Sequence, residues 1–469
     1  MTTHSGPAER IDMDDARIES ALSHPQKADA VRVREVLAKA RELRGLDADD
    51  VASLMSMSDP ELIDELFSAA RKAKETIYGR RLVFFAPLYV SNLCSNDCLY
   101  CAFRSPNQGL VRRALTQAEV AEEVTALIEQ GHKRVLLVAG ESYPEQGFQY
   151  VLDCIETIYA TKLGHGEIRR ANVNVAPLGL EEFRRLKDAG IGTYQLFQET
   201  YHRPTYAKVH VSGPKRNYDW RITALDRAME CGIDDVGVGI LFGLFDWRYE
   251  VLALMQHIEH LEARYGVGPH TISVPRLEPA TGADLASHPP QPVSDLAFRK
   301  IIAILRLAVP YTGIIMSTRE SADIRRETFA LGVSQISAGS RTNPGGYQDG
   351  PREEEAGQFS LGDHRSLDDV IRDVAELGYV PSFCTGCYRL GRTGADFMDL
   401  ARPGAIKAHC EPNALSTFRE YLRDFASAET LRAGEAAIAR SLSDMEPAVR
   451  KRAEAMLERV GAGEDDVYC

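Results

Sequence analysis

The sequence predicts an α/β protein built on a (β/α)8 TIM barrel, with a helical N-terminal extension and a mainly helical C-terminal domain. Three observations lead there. Between about residues 82 and 340 the chain alternates short apolar or β-branched runs with amphipathic stretches of helical period. The runs number eight. They are continuously apolar, as strands of a parallel sheet buried on both faces must be. Eight such units close into a barrel. An open doubly wound sheet is the alternative, disfavoured by the number of units and by the lack of G-x-G-x-x-G after the first run.

The elements follow in order. Residues 1–80 form the extension, where Val31 to Leu43 and Pro60 to Ile77 carry apolar positions at three- and four-residue spacing. Residues 81–342 form the barrel. Its strand-like runs are LVFFAPLYVS, RVLLVAG, ANVNVAP, TYQLFQE, DVGVGILFG, HTISVPRL, GIIMST and VSQISAGS. They begin near residues 82, 134, 171, 193, 235, 270, 313 and 333. Thr116 and Glu119 form a capping box that opens the first barrel helix. Residues 343–469 form the C-terminal domain. It starts with NPGGYQDGPREEEAGQFSLGDHRS, whose Gly, Pro and acidic residues read as an exposed loop. A helical stretch, a group of cysteines and an amphipathic helical tail from about 414 to 462 follow.

Composition narrows the function. A net charge of −13 argues against nucleic acid, which needs a basic surface. No apolar run reaches the length of a membrane span. The polar, acidic N-terminus reads as neither signal nor transit peptide, so a cytoplasmic setting is expected. Nine cysteines in such a chain read as reduced thiols or metal ligands rather than as a disulfide framework. Cys154 and Cys231 sit in apolar or helix-end contexts and read as packing residues. Cys469 falls on a tail expected to be mobile and takes no role.

The chemistry sits in two cysteine groups. Cys94, Cys98 and Cys101 form a C-x3-C-x2-C run, with the aromatic Tyr100 just before the last thiol. A four-iron cubane closed by protein needs four thiolates, and this run offers three, which leaves one iron open for a ligand. Zinc motifs usually pair two knuckles, and no His or Cys lies near enough in sequence to complete one here. The run follows the first strand directly, and barrel chemistry sits at the C-terminal ends of strands. The second group, Cys384, Cys387 and Cys410, is spaced C-x2-C-x22-C. It too offers three thiolates. Zinc fits this spacing as well, since C-x2-C is a common half-site and His409 adjoins Cys410.

The first run resembles the radical S-adenosylmethionine (SAM) superfamily, in which the open iron is chelated by SAM and one electron cleaves SAM to a deoxyadenosyl radical. The two cysteine groups together resemble the HydG-type tyrosine lyases that mature [FeFe]-hydrogenase. CLYCAFR, GPHTISVPR, YQLFQETYH, YDWRITALDRA, GLFDWR and STRES carry the likeness over about residues 80 to 415. Ala102 stands where that family more often has Gly.

The resemblance implies two 4Fe–4S clusters, SAM and L-tyrosine. It also implies an electron donor such as flavodoxin or ferredoxin, and other hydrogenase maturation proteins as partners. Tyr100, Gly140 and Glu141 are expected around SAM, with the Glu141 carboxylate suited to its ammonium. Gln198 and Glu199, at the end of the fourth strand, are expected to meet SAM or tyrosine. Arg319 is expected to pair with the substrate carboxylate, with Ser317 and Ser340 as further polar contacts. His270 is expected to ligate an extra iron beside the second cluster. The reaction implied is cleavage of L-tyrosine to p-cresol and dehydroglycine, then release of CO and cyanide for the hydrogenase H-cluster. The related tyrosine lyase of thiazole biosynthesis, a 2-iminoacetate synthase, is the nearest rival and lacks the second cysteine group. A non-enzymatic iron–sulfur scaffold is another, but it would need no SAM-contacting residues.

Overall fold

The computed structural model describes residues 10–23, 29–349 and 357–469. The first nine residues of the N-terminus and residues 350–356 of the Gly-rich segment therefore lie outside the described residues.

Four helices precede the barrel: α1 (Asp15–Ser23), α2 (Ala30–Ala40), α3 (Ala48–Ser56) and α4 (Pro60–Tyr78). Aspartates start three of them. Asp29, Asp47 and Asp59 each accept a backbone N–H at a helix N-terminus, and Pro60 takes the first turn of α4, where no N–H is needed.

Eight parallel strands then close a barrel: β1 (Arg81–Ser91), β2 (Arg134–Ala139), β3 (Arg170–Asn174), β4 (Tyr194–Glu199), β5 (Val236–Ile240), β6 (Thr271–Ser273), β7 (Gly313–Met316) and β8 (Val333–Ser337). Each begins within one residue of its expected start. Closure is the pairing of β8 with β1, Val83 opposite Gln335 through Phe85 opposite Ser337. The outer layer is α5 (Gln117–Glu129), α6 (Gln149–Ala160), α7 (Leu180–Asp188), α8 (Ala224–Glu230), α9 (Trp247–Tyr265), α10 (Asp295–Ala308) and α11 (Ala322–Leu331). The capping box of α5 forms as read: Glu119 N–H donates to Thr116 Oγ1 and Thr116 N–H donates to the Glu119 carboxylate. The N-terminal helix α4 packs on α10 and α11.

Strand alternation sorts the side chains. In β1, Leu82, Phe84, Ala86 and Leu88 enter the core under the helices. Val83, Phe85, Pro87 and Tyr89 point into the barrel. The barrel interior is therefore lined from one mouth to the other by a single strand.

The C-terminal region comprises α12 (Leu367–Glu376), a short strand β9 (Val380–Ser382), α13 (Lys407–Asp424), α14 (Ala428–Asp444) and α15 (Pro447–Gly461). Strand β9 was not expected. Val83 pairs with Gln335 on one edge and with Ser382 on the other, so β9 continues the barrel sheet below β2. A buried charge cluster clamps α13 to the barrel: Glu420 accepts from Lys133 at 2.7 Å and from Arg169 at 2.9 Å, with all three fully buried.

Two readings of this region need correction. The Gly-rich segment is an exposed loop only in part: Gln348, Ser360, Gly362 and His364 are exposed, while other described residues turn inward. Thr342 and Asn343 are buried, and Gln358 and Phe359 sit in the barrel mouth. Gly and Pro signal turns, and turns can fold inward when backbone partners wait there: Gln358 N–H donates to Thr342 O, and Ala102 N–H donates to Gln358 O. The tail ending at Cys469 is tied down rather than loose. Cys469 N–H donates to Asn413 Oδ1 at 2.8 Å, and Arg392 donates to Cys469 O at 2.6 Å.

Candidate active site at two mouths of one barrel

The upper mouth, at the C-terminal ends of the strands, opens on a cavity of about 1380 Å³ counted with its open entrance. Cys94, Cys98 and Cys101 line it. Their loop leaves β1 and is fixed by a two-residue antiparallel pairing, Asp97 with Ser212 and Cys98 with His210. Tyr100 reaches down to His210 Nε2 at 2.8 Å. Gln358 Nε2 lies 3.7 Å from Cys101 Sγ. Gly140 lets the loop approach: a Cβ there would stand 2.2 Å from Leu93 O. Burial raises all three thiols, Cys101 to about 11.

Beside the thiols lies a balanced quartet. Arg221 donates to Glu141 at 2.8 Å and lies 3.5 Å from Glu199. Lys215 donates to Glu199 at 2.7 Å and stands 3.8 Å from Glu141. Asn96 donates to the other Glu141 oxygen at 2.8 Å. Burial alone would raise Glu141, but Arg221 and Lys215 outweigh it and hold the carboxyl below its ordinary value. Glu199 is aimed by a bulge at the end of β4, with a φ of +71° that a non-glycine residue seldom takes. Two carboxylates against two cations can exchange partners with an incoming zwitterion at no net cost in charge.

In the same cavity Arg319 is partly buried, its guanidinium 3.2 Å over the Phe359 ring centroid. Burial lowers its pKa, and no carboxylate pairs with it among the described residues. Tyr89, Ser317, Thr318 and Ser337 share the wall.

The expected residues divide. The three cysteines, Tyr100, Gly140, Glu141, Glu199, Ser317 and Arg319 meet in this cavity. Gln198 does not. It is buried beside the inward Phe197 and Glu199, and its Nε2 has no partner among the described residues. Ser340 also misses the cavity, three residues past Ser337, which takes the position instead. Asn96, Lys215, Arg221 and Tyr89 were not foreseen. Arg221 stood in a segment already singled out, YDWRITALDRA, and Tyr89 on the inward phase of β1.

The lower mouth holds the second triad. Cys384 follows β9, Cys387 lies on a short helix Gly386–Arg389, and Cys410 lies on α13. They line a cavity of about 620 Å³ with His270, Asp235, Arg81, Arg134, Tyr388 and Arg392. Arg134 donates to Cys384 O at 2.7 Å. Burial pushes Cys384 up to about 11 and Cys387 up to about 12. His409 is not part of the lining. His270 is, with its ring 4.6 Å from that of Phe397. Val83 lines this cavity and Tyr89 the upper one. Six residues of strand put them about 20 Å apart.

Both triads suit a cubane better than a single metal ion. Among the described residues only Glu420, Asp424 and Asp465 bring three potential ligand atoms within 4.8 Å of one another. A tetrahedral zinc site with bonds of about 2.3 Å needs sulfurs about 3.8 Å apart.

Loading tests the donor set. Buried thiols near 11 stay protonated in the metal-free protein, so uptake of iron must displace their protons. At fixed iron and sulfide, loading should improve from about pH 7 to about pH 9 and release protons to a dye. Loading that ignores pH and releases none would contradict thiol ligation.

A closed parallel barrel with C-x3-C-x2-C at the loop after its first strand defines the radical SAM class, and residues 88–256 match the Radical SAM superfamily model. Residues 273–380 match the Biotin and Thiamin Synthesis associated domain. The chain is 32% identical to 2-iminoacetate synthase of Escherichia coli strain K12, over 84% of this chain and 99% of the relative. A solved structure of HydG, a maturase of the [FeFe]-hydrogenase, superposes with a TM-score of 0.93 at 48% identity, covering 97% of this chain and 99% of that one. HydG from Carboxydothermus hydrogenoformans gives 0.82 at 40% identity, over 94% and 96%. The chain belongs to the HydG-type family of radical SAM enzymes. No helix among the described residues is long and apolar enough to cross a membrane.

Proposed function

We propose that this enzyme is a tyrosine lyase. It cleaves L-tyrosine to p-cresol and dehydroglycine and converts the latter to CO and cyanide for assembly of the [FeFe]-hydrogenase H-cluster. One observation carries the reading: a single closed barrel has a thiol triad at each mouth, and the upper cavity also holds an arginine with no carboxylate partner among the described residues. Cys94, Cys98 and Cys101 would hold a 4Fe–4S cluster that, with SAM, supplies the carbon radical. Cys384, Cys387 and Cys410 would hold a second 4Fe–4S cluster, with His270 as a ligand to the extra iron that becomes cargo.

The chain's own groups do the rest. Glu141, Glu199, Lys215 and Arg221 bind and orient the zwitterionic end of SAM. Arg319 holds the tyrosine carboxylate, and Ser317, Ser337 and Tyr89 offer hydroxyls beside it. Phe103, Leu136, Val138, Phe197, Ile315 and Phe359 surround the reacting carbons with apolar surface and exclude water. The two cavities lie at opposite mouths of the same barrel, so a small product formed at one is used at the other within one chain. The partners are SAM, L-tyrosine, an electron donor such as flavodoxin or ferredoxin, and the other hydrogenase maturation proteins.

Arg319→Ala tests the substrate assignment. Losing two charge-assisted hydrogen bonds, worth about 3 kcal/mol together, should raise the KM for tyrosine roughly 100-fold. SAM binding should change little. Arg319→Lys should rescue only part, because an ammonium cannot reproduce the planar fork. An unchanged KM in Arg319→Ala would remove Arg319 from the substrate site.

A further inference from the structure

His270 can ligate iron only if one ring nitrogen keeps a free lone pair, so something must hold the proton on the other. Asp235 stands just before β5 and His270 just before β6. His270 N–H donates to Val236 O at 2.8 Å, and the Asp235 carbonyl accepts from Tyr194 N–H at 3.1 Å. The backbone therefore fixes both residues side by side at the lower mouth. His270 Nδ1 lies 3.2 Å from Asp235 Oδ1.

The approach is within reach but off the hydrogen-bond direction. Both carboxylate oxygens are buried without a donor among the described residues. A buried carboxylate in that state is costly. Of the other polar neighbours, Arg134 gives one Nη to Cys384 O, and the Tyr388 and Thr193 hydroxyls pair with each other. Among the described basic side chains, the imidazole is the one that stands within 4 Å of this carboxylate. A cation on the far nitrogen would strengthen Nδ1–H as a donor and compensate the carboxylate.

We propose that Asp235 is the positioning residue of the lower site: its carboxylate accepts a hydrogen bond from Nδ1–H of His270, keeps the proton on that nitrogen and leaves Nε2 as the lone pair that faces the thiol triad. This rests on the reading of His270 as an iron ligand. Metal-ligating histidines are commonly fixed in this way by a carboxylate behind the ring, and loss of that partner costs about 10–100-fold in metal affinity. Without it, a neutral imidazole in a watery cavity favours the Nε2–H form, which blocks ligation.

The test uses the full chain labelled with 15N-histidine and kept metal-free, with His270→Gln to assign its ring signals. Wild type should show Nδ1–H with an unprotonated Nε2. Asp235→Ala should shift toward Nε2–H, while Asp235→Asn, whose amide oxygen still accepts, should keep Nδ1–H. After reconstitution with iron and sulfide, Asp235→Ala should hold the extra iron 10–100-fold more weakly against a chelator than wild type. Asp235→Asn should fall between.

Nε2–H in the wild type overturns the proposal and needs no variant to read. So does an Asp235→Ala protein with unchanged tautomer and iron affinity. A wild type that shows the Nδ1–H tautomer but never takes an extra iron overturns the functional reading and leaves the Asp235–His270 pairing standing.

Discussion

Serine at Cys94, Cys98 or Cys101 should abolish SAM cleavage and p-cresol formation together. The physical reason is ligand count. Three thiols are all the upper mouth offers, and their loop is held by the Cys98–His210 pairing and by the close approach over Gly140. A serine hydroxyl is a poor iron ligand, so each replacement leaves a cubane with two protein attachments. The remaining side chains around the cavity would still form their ion pairs, because Glu141, Glu199, Lys215 and Arg221 satisfy one another. The variants should therefore fold, bind tyrosine and fail at chemistry. The expected loss is at least about 10³-fold, near the limit of detection in a p-cresol assay. A triple variant that makes p-cresol at the wild-type rate would end the radical SAM account of the mechanism.

Serine at Cys384, Cys387 or Cys410 should divide the reaction instead. These thiols lie about 20 Å from the upper site along β1, and none of them touches the upper cavity. Tyrosine cleavage should persist, slowed at most a few-fold. The Fe–CO and Fe–CN infrared bands should vanish, and Mössbauer spectra should lose one cluster. The fold should tolerate the change because α13 is anchored elsewhere, through Glu420 to Lys133 and Arg169 and through Phe383 stacked on Tyr421 at 5.5 Å. Equal loss of p-cresol and of the iron-bound products would contradict separate sites.

Much of this was legible in the residues. The eight barrel strands were, because fully buried parallel strands leave continuous apolar runs that little else produces. So were the six thiols, since ligand spacing is a local property of sequence. Arg319 and Ser317 were legible from their place just beyond the seventh strand. Strand β9 was not. It is three residues long and contains Pro381, which is tolerated only at a sheet edge such as the one β1 provides. The network brings Asn96 to the segment that carries Lys215 and Arg221, 119 residues on in sequence at Lys215, and no local signal records that meeting. Gln198 and Ser340 lie off the cavity lining for a subtler reason. Which residue of a strand end faces inward depends on a bulge at Glu199 and on where β8 stops, and both are set by neighbouring strands. Asp235 was invisible as a partner of His270 because the two are adjacent only across the sheet.

The central claim is that one barrel performs both halves of the chemistry. It is tested by anaerobic reconstitution with iron and sulfide, followed by reaction with SAM, a one-electron reductant and 13C-labelled tyrosine. The account predicts two cluster signals, p-cresol, and labelled CO and cyanide bands bound to iron, all from the same preparation. Stoichiometric zinc in place of the second cluster, with p-cresol formed but labelled 2-iminoacetate released and no iron-bound CO or cyanide, would contradict it.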